Sequence, residues 1–491
     1  MALRLDPGLS ARPGNPGRIP VEDHPAVAPD SEAGSGRPHR GPSAGPALRE
    51  AVAPGSVIVL GAGVAGLAAA RVLAAAGLAV TVIDQSDRCG GAHRSHEIGP
   101  YTFDRGSIFY EETAELFALA PGVRDLCPPV WRMERRVGPE GRLLQYPLAL
   151  REIQDWPLRR KIRAVADLLA GRVLRRPDGT LEAICRSRLG RTFYQDTGLA
   201  SYIARFHHCP ASAIDQEFFV RRMSHVERST RPGALLAMAW RAATRPAPQA
   251  APRWPFRVRP SGGTALLFDP IRQALEAASV RFRLQERLLG VEAAADGFTV
   301  TTTAGRHRAG ALVSAIPLDA LHRAVFGTGS GLLSIDLLSL FVSADWLDPG
   351  AGNVLFNFHA EGRWKRATIH SRLYPDRQTP REFLSVEVTL PPGAAADPAE
   401  AFRDFKAHVE GLGIARDVAL EGHDVVEAAY PLYQLGDVET ARRLIEKVER
   451  LGIVSVGRQG RFEYLPVSSL VIRRVREELS RSLSLRQVSP G

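Results

Sequence analysis

Cysteine, lysine and methionine each occur only four times in 491 residues. The cysteines are Cys89, Cys127, Cys185 and Cys209, and no two form a C-x-x-C pair. That excludes a disulfide scaffold and offers neither a zinc site nor a dithiol redox motif. The thiols read as inert groups of a reducing compartment, which places the chain in the cytoplasm. Long apolar runs are also missing. The longest, Val57 to Ile83, is broken by Arg71 and four glycines, whereas a membrane span needs about 20 mostly apolar residues. The N-terminus has neither the apolar core of a signal peptide nor a twin-arginine pair. Lysine is so scarce that 59 of the 63 basic residues are arginine. With abundant Ala, Gly and Pro, the net charge of +10 reads as the bias of a GC-rich genome. No nucleic-acid motif accompanies it, so no nucleic-acid partner is expected.

What is present begins at Ser56. Residues 1–54 hold ten prolines and seven glycines, too little apolar surface to offset the entropy of ordering, and are expected to form an unfolded tail. Val57-Ile58-Val59-Leu60 is then a continuous apolar run, as in a buried parallel strand. Leu67 to Ala76 reads as an Ala-rich helix stopped by Gly77, and Ala79 to Ile83 as a second strand. Further on, a helix is expected from Thr264 to Ala278, strands at Val280–Leu284, Leu288–Ala293, Phe298–Thr303 and Ala311–Ile316, and a hairpin turn at Gly305. A last strand at Ile453–Val456 leads through Gly457-Arg458-Gln459-Gly460 to a helix from about Ser469.

The first strand-to-helix turn reads Gly61-Ala62-Gly63-Val64-Ala65-Gly66. Gly61 permits the tight turn, Gly63 lets the backbone approach a pyrophosphate, and Gly66 lets helix and strand pack closely. The helix N-terminus offers free N–H groups and a partial positive charge to phosphate. Asp84 ends the second strand eighteen residues after Gly66, where a carboxylate accepts the hydroxyls of an adenosine ribose. A dinucleotide site follows.

Asp87-Arg88-Cys89-Gly90-Gly91 and Tyr101-Thr102-Phe103-Asp104-Arg105-Gly106 come next. Together with the glycine loop they resemble the FAD-binding N-terminus of the flavoprotein group that contains amine oxidases, protoporphyrinogen oxidase, phytoene desaturases and UDP-galactopyranose mutase. Arg259-Pro260-Ser261-Gly262-Gly263, Ala311–Pro317 and Gly457–Tyr464 resemble further segments of that group, so the likeness spans most of residues 55–480. It implies an α/β fold with a Rossmann-like, discontinuous FAD-binding domain (55–110, 255–325 and 450–482) and an interleaved α+β substrate domain (111–254 and 326–449). It implies that FAD is held by Gly61, Gly63, Val64, Ala65, Gly66, Asp84, Gln85, Arg88, Gly90 and Gly91, by the backbone at Leu289 and Val291, and by Gly457, Arg458 and Tyr464. Asp104 would support the turn beside the flavin.

Within the group, Tyr146-Pro147, Tyr430-Pro431 and the closing run are similar to the mutases and their oxidoreductase-like cousins. Phe206–Met223 resembles the protoporphyrinogen-oxidase-like members. Mutases carry G-G-H where this chain has Arg105-Gly106-Ser107, and acidic residues where Leu465-Pro466-Val467 follows Tyr464. Three functions stay open: FAD-dependent oxidation of a small organic substrate, a redox-neutral mutase reaction on reduced FAD, and an inert FAD-bound interaction protein. No metal cluster or protein nucleophile stands out, and in this group the flavin carries the chemistry. Lys365 is the candidate lysine beside the flavin. Arg135, Arg142 and Tyr146 are candidates for receiving a substrate anion. The adjacent His207 and His208 are expected at the surface or in a cleft, and His93, His96, His225 and His370 as structural singletons. Gly327–Gly331 follows no strand and reads as a loop, so no second dinucleotide domain is expected; electrons would leave to oxygen or a quinone. Residues 151–191 carry eleven basic and five acidic side chains with apolar residues interleaved. They read either as a solvated helical cap or as a peripheral membrane contact.

Overall fold

The computed structural model describes residues 55–106, 108–147, 156–174, 178–222 and 256–488. The tail 1–54, Ser107, His225 and parts of the stretches 151–191 and 206–223 lie outside the described residues. Strand β1 (Ser56–Leu60), helix α1 (Val64–Ala75) and strand β2 (Ala79–Ile83) form the expected βαβ unit. The helix begins three residues before the apolar run suggests, because Val64 to Gly66 turn helical directly after the glycine loop. Five parallel strands make one sheet in the order Arg281–Arg283, β2, β1, Ala311–Ser314, Ile453–Ser455. Its strands therefore come from three distant parts of the chain. Both faces are covered, which is why β1 is buried at every position. Val57, Val59, Val80 and Val82 pack against Leu67, Leu73 and the helix Ala265–Ala277 on one side. Ile58, Leu60 and Ile83 pack against Val291, Val300 and Leu321 on the other. A fully buried side chain of this size stabilises the fold by about 1.5–3 kcal/mol.

The strand expected at Leu288–Ala293 runs Leu288–Ala294 in a separate antiparallel sheet with Gly297–Thr302 and Gly305–Ala309. Gly305 opens the third of these strands rather than forming the turn, which falls just before it.

The second large sheet has seven strands. Its order is Ala415–Pro431, Ser334–Leu347, Glu382–Leu390, Trp364–Ile369, Val354–Asn357, Glu134–Val137, Leu143–Gln145. We label four of them β3 (Ser334–Leu347), β4 (Trp364–Ile369), β5 (Glu382–Leu390) and β6 (Ala415–Pro431). All pairings are antiparallel except that of Val354–Asn357 with Glu134–Val137. One end of this sheet meets the glycine loop across a cleft. Among the described residues no helix is long and apolar enough to cross a membrane.

Two buried polar groups tie the hairpin Arg94–Arg105 to the segment after residue 258. Asp104 and Arg259 are both fully buried, and the guanidinium approaches the carboxylate to 2.7 Å. Arg259 also donates to the carbonyls of Thr102, Pro260 and Ser261. Ser95 donates its hydroxyl to the other carboxylate oxygen. Asp104 thus ties the hairpin, through Arg259, to the turn Pro260–Gly263.

Candidate active site

The cleft starts at the loop after β1. Gly61 has φ +98° and donates its N–H to the carbonyl of Ile83 at 2.8 Å. A Cβ on Gly66 would sit 1.7 Å from the Gly61 oxygen, so no larger residue fits there. No side chain caps α1 and its first turn holds no acid, which leaves its amide groups to a bound anion. Asp84 accepts from the N–H of Ala62 at 2.6 Å and from that of Ser86 at 2.7 Å. Each oxygen keeps lone-pair capacity for a ribose hydroxyl. Gly90 and Gly91, both at positive φ, lie against the loop, and Gly90 donates to the Ala62 carbonyl at 2.9 Å. A Cβ on Gly91 would lie 3.0 Å from the Gly63 Cα, and one on Gly457 would lie 2.4 Å from the Ala65 Cβ. Three distant segments therefore form a cradle that side chains would fill, the shape a dinucleotide diphosphate requires.

The cleft has a volume of about 330 Å³. Gly63 to Ala65 and Gly90 to His93 line one wall. Lys365, Arg366, Val426 and Tyr430 line the other, and Arg458, Gln459 and Tyr464 close it. Two irregular strands aim the opposite wall. In β4, Trp364 pairs with Val388 and Arg366 pairs with Glu387, so Lys365 is an extra residue in the ladder. Such a bulge re-aims side chains: Lys365 and Arg366 both reach Glu387, Lys365 at 2.8 Å. In β6 the register shifts opposite Asp336, whose carboxylate accepts from the N–H of Ala428 at 2.7 Å. Ala428 takes φ +49° there. The freed carbonyl of Ala429 accepts from Arg458 at 2.7 Å, and Tyr430 comes within 3.1 Å of the Lys365 ammonium.

Lys365 is 2% exposed. Burial pulls its pKa down, but Glu387 and then Tyr430 more than reverse this and hold it above the usual lysine value. Burial raises the Glu387 carboxyl, and Arg366 and Lys365 overcome that effect and bring it down to about 2. Burial also raises the Tyr430 hydroxyl, yet Lys365 next to it leaves the net shift downward. His93 is brought down to about 4, first by burial and then by the Arg458 guanidinium. At neutral pH this wall therefore holds a charged lysine and a charged glutamate beside a tyrosine of raised acidity, and the histidine on the glycine-loop wall is neutral.

Not every expected residue gathers here. Gly61, Gly66 and Asp84 lie outside this cleft lining, as do the other residues expected toward the adenine end: Gln85 and Arg88 just after β2, and Leu289 and Val291 on the strand Leu288–Ala294, with Leu289 exposed and Val291 buried. Arg88 pairs with its neighbour Asp87 at 3.4 Å. Arg135, Arg142 and Tyr146 stand on or beside the outer hairpin of the seven-stranded sheet, away from the cleft lining. Tyr146 stacks on Phe356 with ring centres 4.0 Å apart. The arginine from that region which does line the cleft is Arg132, with its guanidinium 4.9 Å from the Phe109 ring and 2.8 Å from Glu134. His207 is not at the surface. It is 1% exposed and packs edge-on to Phe206 and Phe218, because the helix Leu199–His207 presents that face to the core. His208, by contrast, is exposed, as expected, with its ring 2.9 Å from the Thr389 carbonyl. His370 is buried beside Asp104, and burial takes it down to about 4. The sequence pattern gave no sign of Arg366 and Glu387, and it gave Tyr430 only as part of a family-like dipeptide.

Cradle and cleft together define an FAD-dependent oxidoreductase. The profile of the flavin-containing amine oxidoreductases matches residues 64–334. That is more than half of the chain, which belongs to this family. Among solved structures, a reduced UDP-galactopyranose mutase is similar at 18% identity and TM-score 0.71, covering 88% of this chain and 95% of that one. A protein of Exiguobacterium sp. 255-15 described as a protoporphyrinogen oxidase is similar at 16% identity and TM-score 0.67, over 88% and 100%. A conjugated-linoleic-acid-producing fatty acid isomerase from P. acnes is similar at 13% identity and TM-score 0.56, over 87% and 98%. At these identities the likeness shows the fold. No curated protein matches the sequence.

Proposed function

We propose that the enzyme oxidises a small organic substrate carrying an anionic group, by hydride transfer to FAD, in the manner of protoporphyrinogen or amine oxidases. The cofactor would lie from Asp84 across Gly61, Gly63 and Gly66 to Gly90, Gly91, Gly457 and Arg458. The segments 55–110, 255–325 and 450–482 would form its domain; in support, each of them supplies strands to the parallel sheet. When bound, FAD supplies the two-electron acceptor. The chain supplies position and charge. Arg458 has no carboxylate partner among the described residues, and Lys365 and Arg366 share the single carboxylate of Glu387. This excess of positive charge attracts and orients an anion. Lys365, held protonated, cannot act as a base. Tyr430 accepts the hydrogen bond of Lys365, which leaves its own O–H free to donate to and orient the substrate nitrogen or oxygen whose carbon is oxidised.

The observation that carries this reading is the pair of bulges that turns Lys365 and Tyr430 toward the glycine loop. The same cations would suit the diphosphate of a sugar nucleotide, which keeps a mutase reaction as the second reading. One experiment separates them. The purified protein is reduced without air, and oxygen or a quinone is then admitted while flavin absorbance is followed. Amines and porphyrinogens are screened as reductants, and UDP-galactofuranose is offered to the reduced protein. Reduction by an anionic amine or porphyrinogen supports oxidation. Turnover of the sugar nucleotide without net flavin oxidation replaces it with the mutase reading.

A further inference from the structure

Helix α2 (Leu158–Leu174) exposes an apolar stripe to solvent. Leu158 is 71% exposed, Ile162 61%, Val165 53% and Leu169 59%. Their spacing of four, three and four residues places them on one narrow face. The orientation of the helix is fixed from the opposite side. Ala164 is buried, Asp167 accepts from the Thr192 N–H at 3.0 Å, and Gly171 lies so close to the next helix that a Cβ would sit 2.7 Å from the Arg186 oxygen. Small and polar residues thus face inward, and the large apolar ones are turned outward by packing, not by fraying.

The flanks of the stripe are basic. At 100° per residue Lys161 falls on one side, and Arg159 and Arg163 on the other. None of the three has a carboxylate partner among the described residues. The helix carries five basic side chains and one acid, Asp167, which is spent on Thr192. An apolar stripe between two cationic rims is the pattern of a helix that lies in a membrane interface. A second copy of the chain fits poorly, since a two-fold contact would set the same cations against each other.

We infer that α2 docks the enzyme on an anionic phospholipid surface, with Leu158, Ile162, Val165 and Leu169 entering the acyl boundary and Arg159, Lys161 and Arg163 meeting phosphate headgroups. This surface is separate from the cleft and does not depend on what the cleft oxidises. The test is flotation of the full-length, flavin-loaded protein with phosphatidylglycerol–phosphatidylcholine vesicles and with pure phosphatidylcholine vesicles. Flotation is expected with the first and not the second. It should weaken as salt rises from about 0.1 M to about 1 M, where the screening length falls from about 10 Å to about 3 Å. The double substitution I162E/L169E should lower binding by about tenfold or more. Flavin content and melting temperature should stay unchanged, because both side chains are already solvated. R159E/R163E should lower binding to the anionic vesicles alone. Absence of flotation with anionic vesicles, or flotation indifferent to I162E/L169E, overturns the inference. So does a solution dimer that I162E/L169E dissociates.

Discussion

Replacing Glu387 by Gln tests the reading of the cleft wall most directly. The wild-type carboxyl stands near 2, against an ordinary value of 4.5. At about 1.4 kcal/mol per unit, that depression contributes about 3 kcal/mol to stability at neutral pH. The sign follows from the direction of the shift. A carboxyl depressed in the folded state stabilises above its unfolded value, and that stabilisation is lost as the pH falls from about 4.5 toward 2. Glutamine removes the carboxylate that the buried Lys365 shares with Arg366, and breaking a buried pair from one side is the costly case. Urea unfolding of the FAD-saturated wild type and E387Q should differ by about 3 kcal/mol at pH 7. More than half of the difference should be gone by about pH 3. Removing the stranded ammonium as well, in E387Q/K365M, should recover part of the loss. A difference under about 1 kcal/mol at pH 7, or one that does not change with pH, would refute the argument that this carboxylate is held by its two cations.

Three further outcomes are expected. Gly66→Ala should purify without flavin, since its methyl carbon would sit 1.7 Å from the Gly61 oxygen; FAD stoichiometry by absorbance checks this. Asp104→Asn should destabilise the protein by about 3–5 kcal/mol in chemical unfolding, because Arg259 loses the one carboxylate it pairs with among the described residues, in a fully buried site. Tyr430→Phe should remove from the pH titration of bound-flavin absorbance a transition lying below the ordinary tyrosine value of 10. An unchanged titration would take Tyr430 away from the flavin.

The glycine loop could be read in the sequence because its physics is local. Gly61, Gly63, Gly66 and Asp84 act within one βαβ unit, and the spacing that makes the turn also makes the binding surface. The opposite wall could not be read in the same way. Whether Lys365 and Arg366 face the same side depends on one extra residue in a ladder whose partner strand lies about twenty residues on, and no period along β4 reveals it. Tyr430 is turned by the register shift opposite Asp336, a contact across 92 residues. Arg135 and Arg142 were good candidates by charge, but they lie on or beside the outer strands of a sheet whose order the sequence does not disclose. His207 follows the same rule: two adjacent histidines look polar in the sequence, and the helix that carries them turns one into the core.

The strand order of the parallel sheet has a consequence for the birth of the protein. Its fifth strand, Ile453–Ser455, is made almost 400 residues after β1. At about 5–20 residues per second, ribosomal synthesis leaves the edge of the strand Ala311–Ser314 without its neighbour for several seconds to tens of seconds. An uncovered, apolar edge is a template for pairing with other chains. The nascent enzyme therefore depends on chaperones, or on early docking of the seven-stranded sheet, until its last strand emerges. Chains that stop short of residue 453 should accumulate as aggregates rather than as half-active flavoproteins.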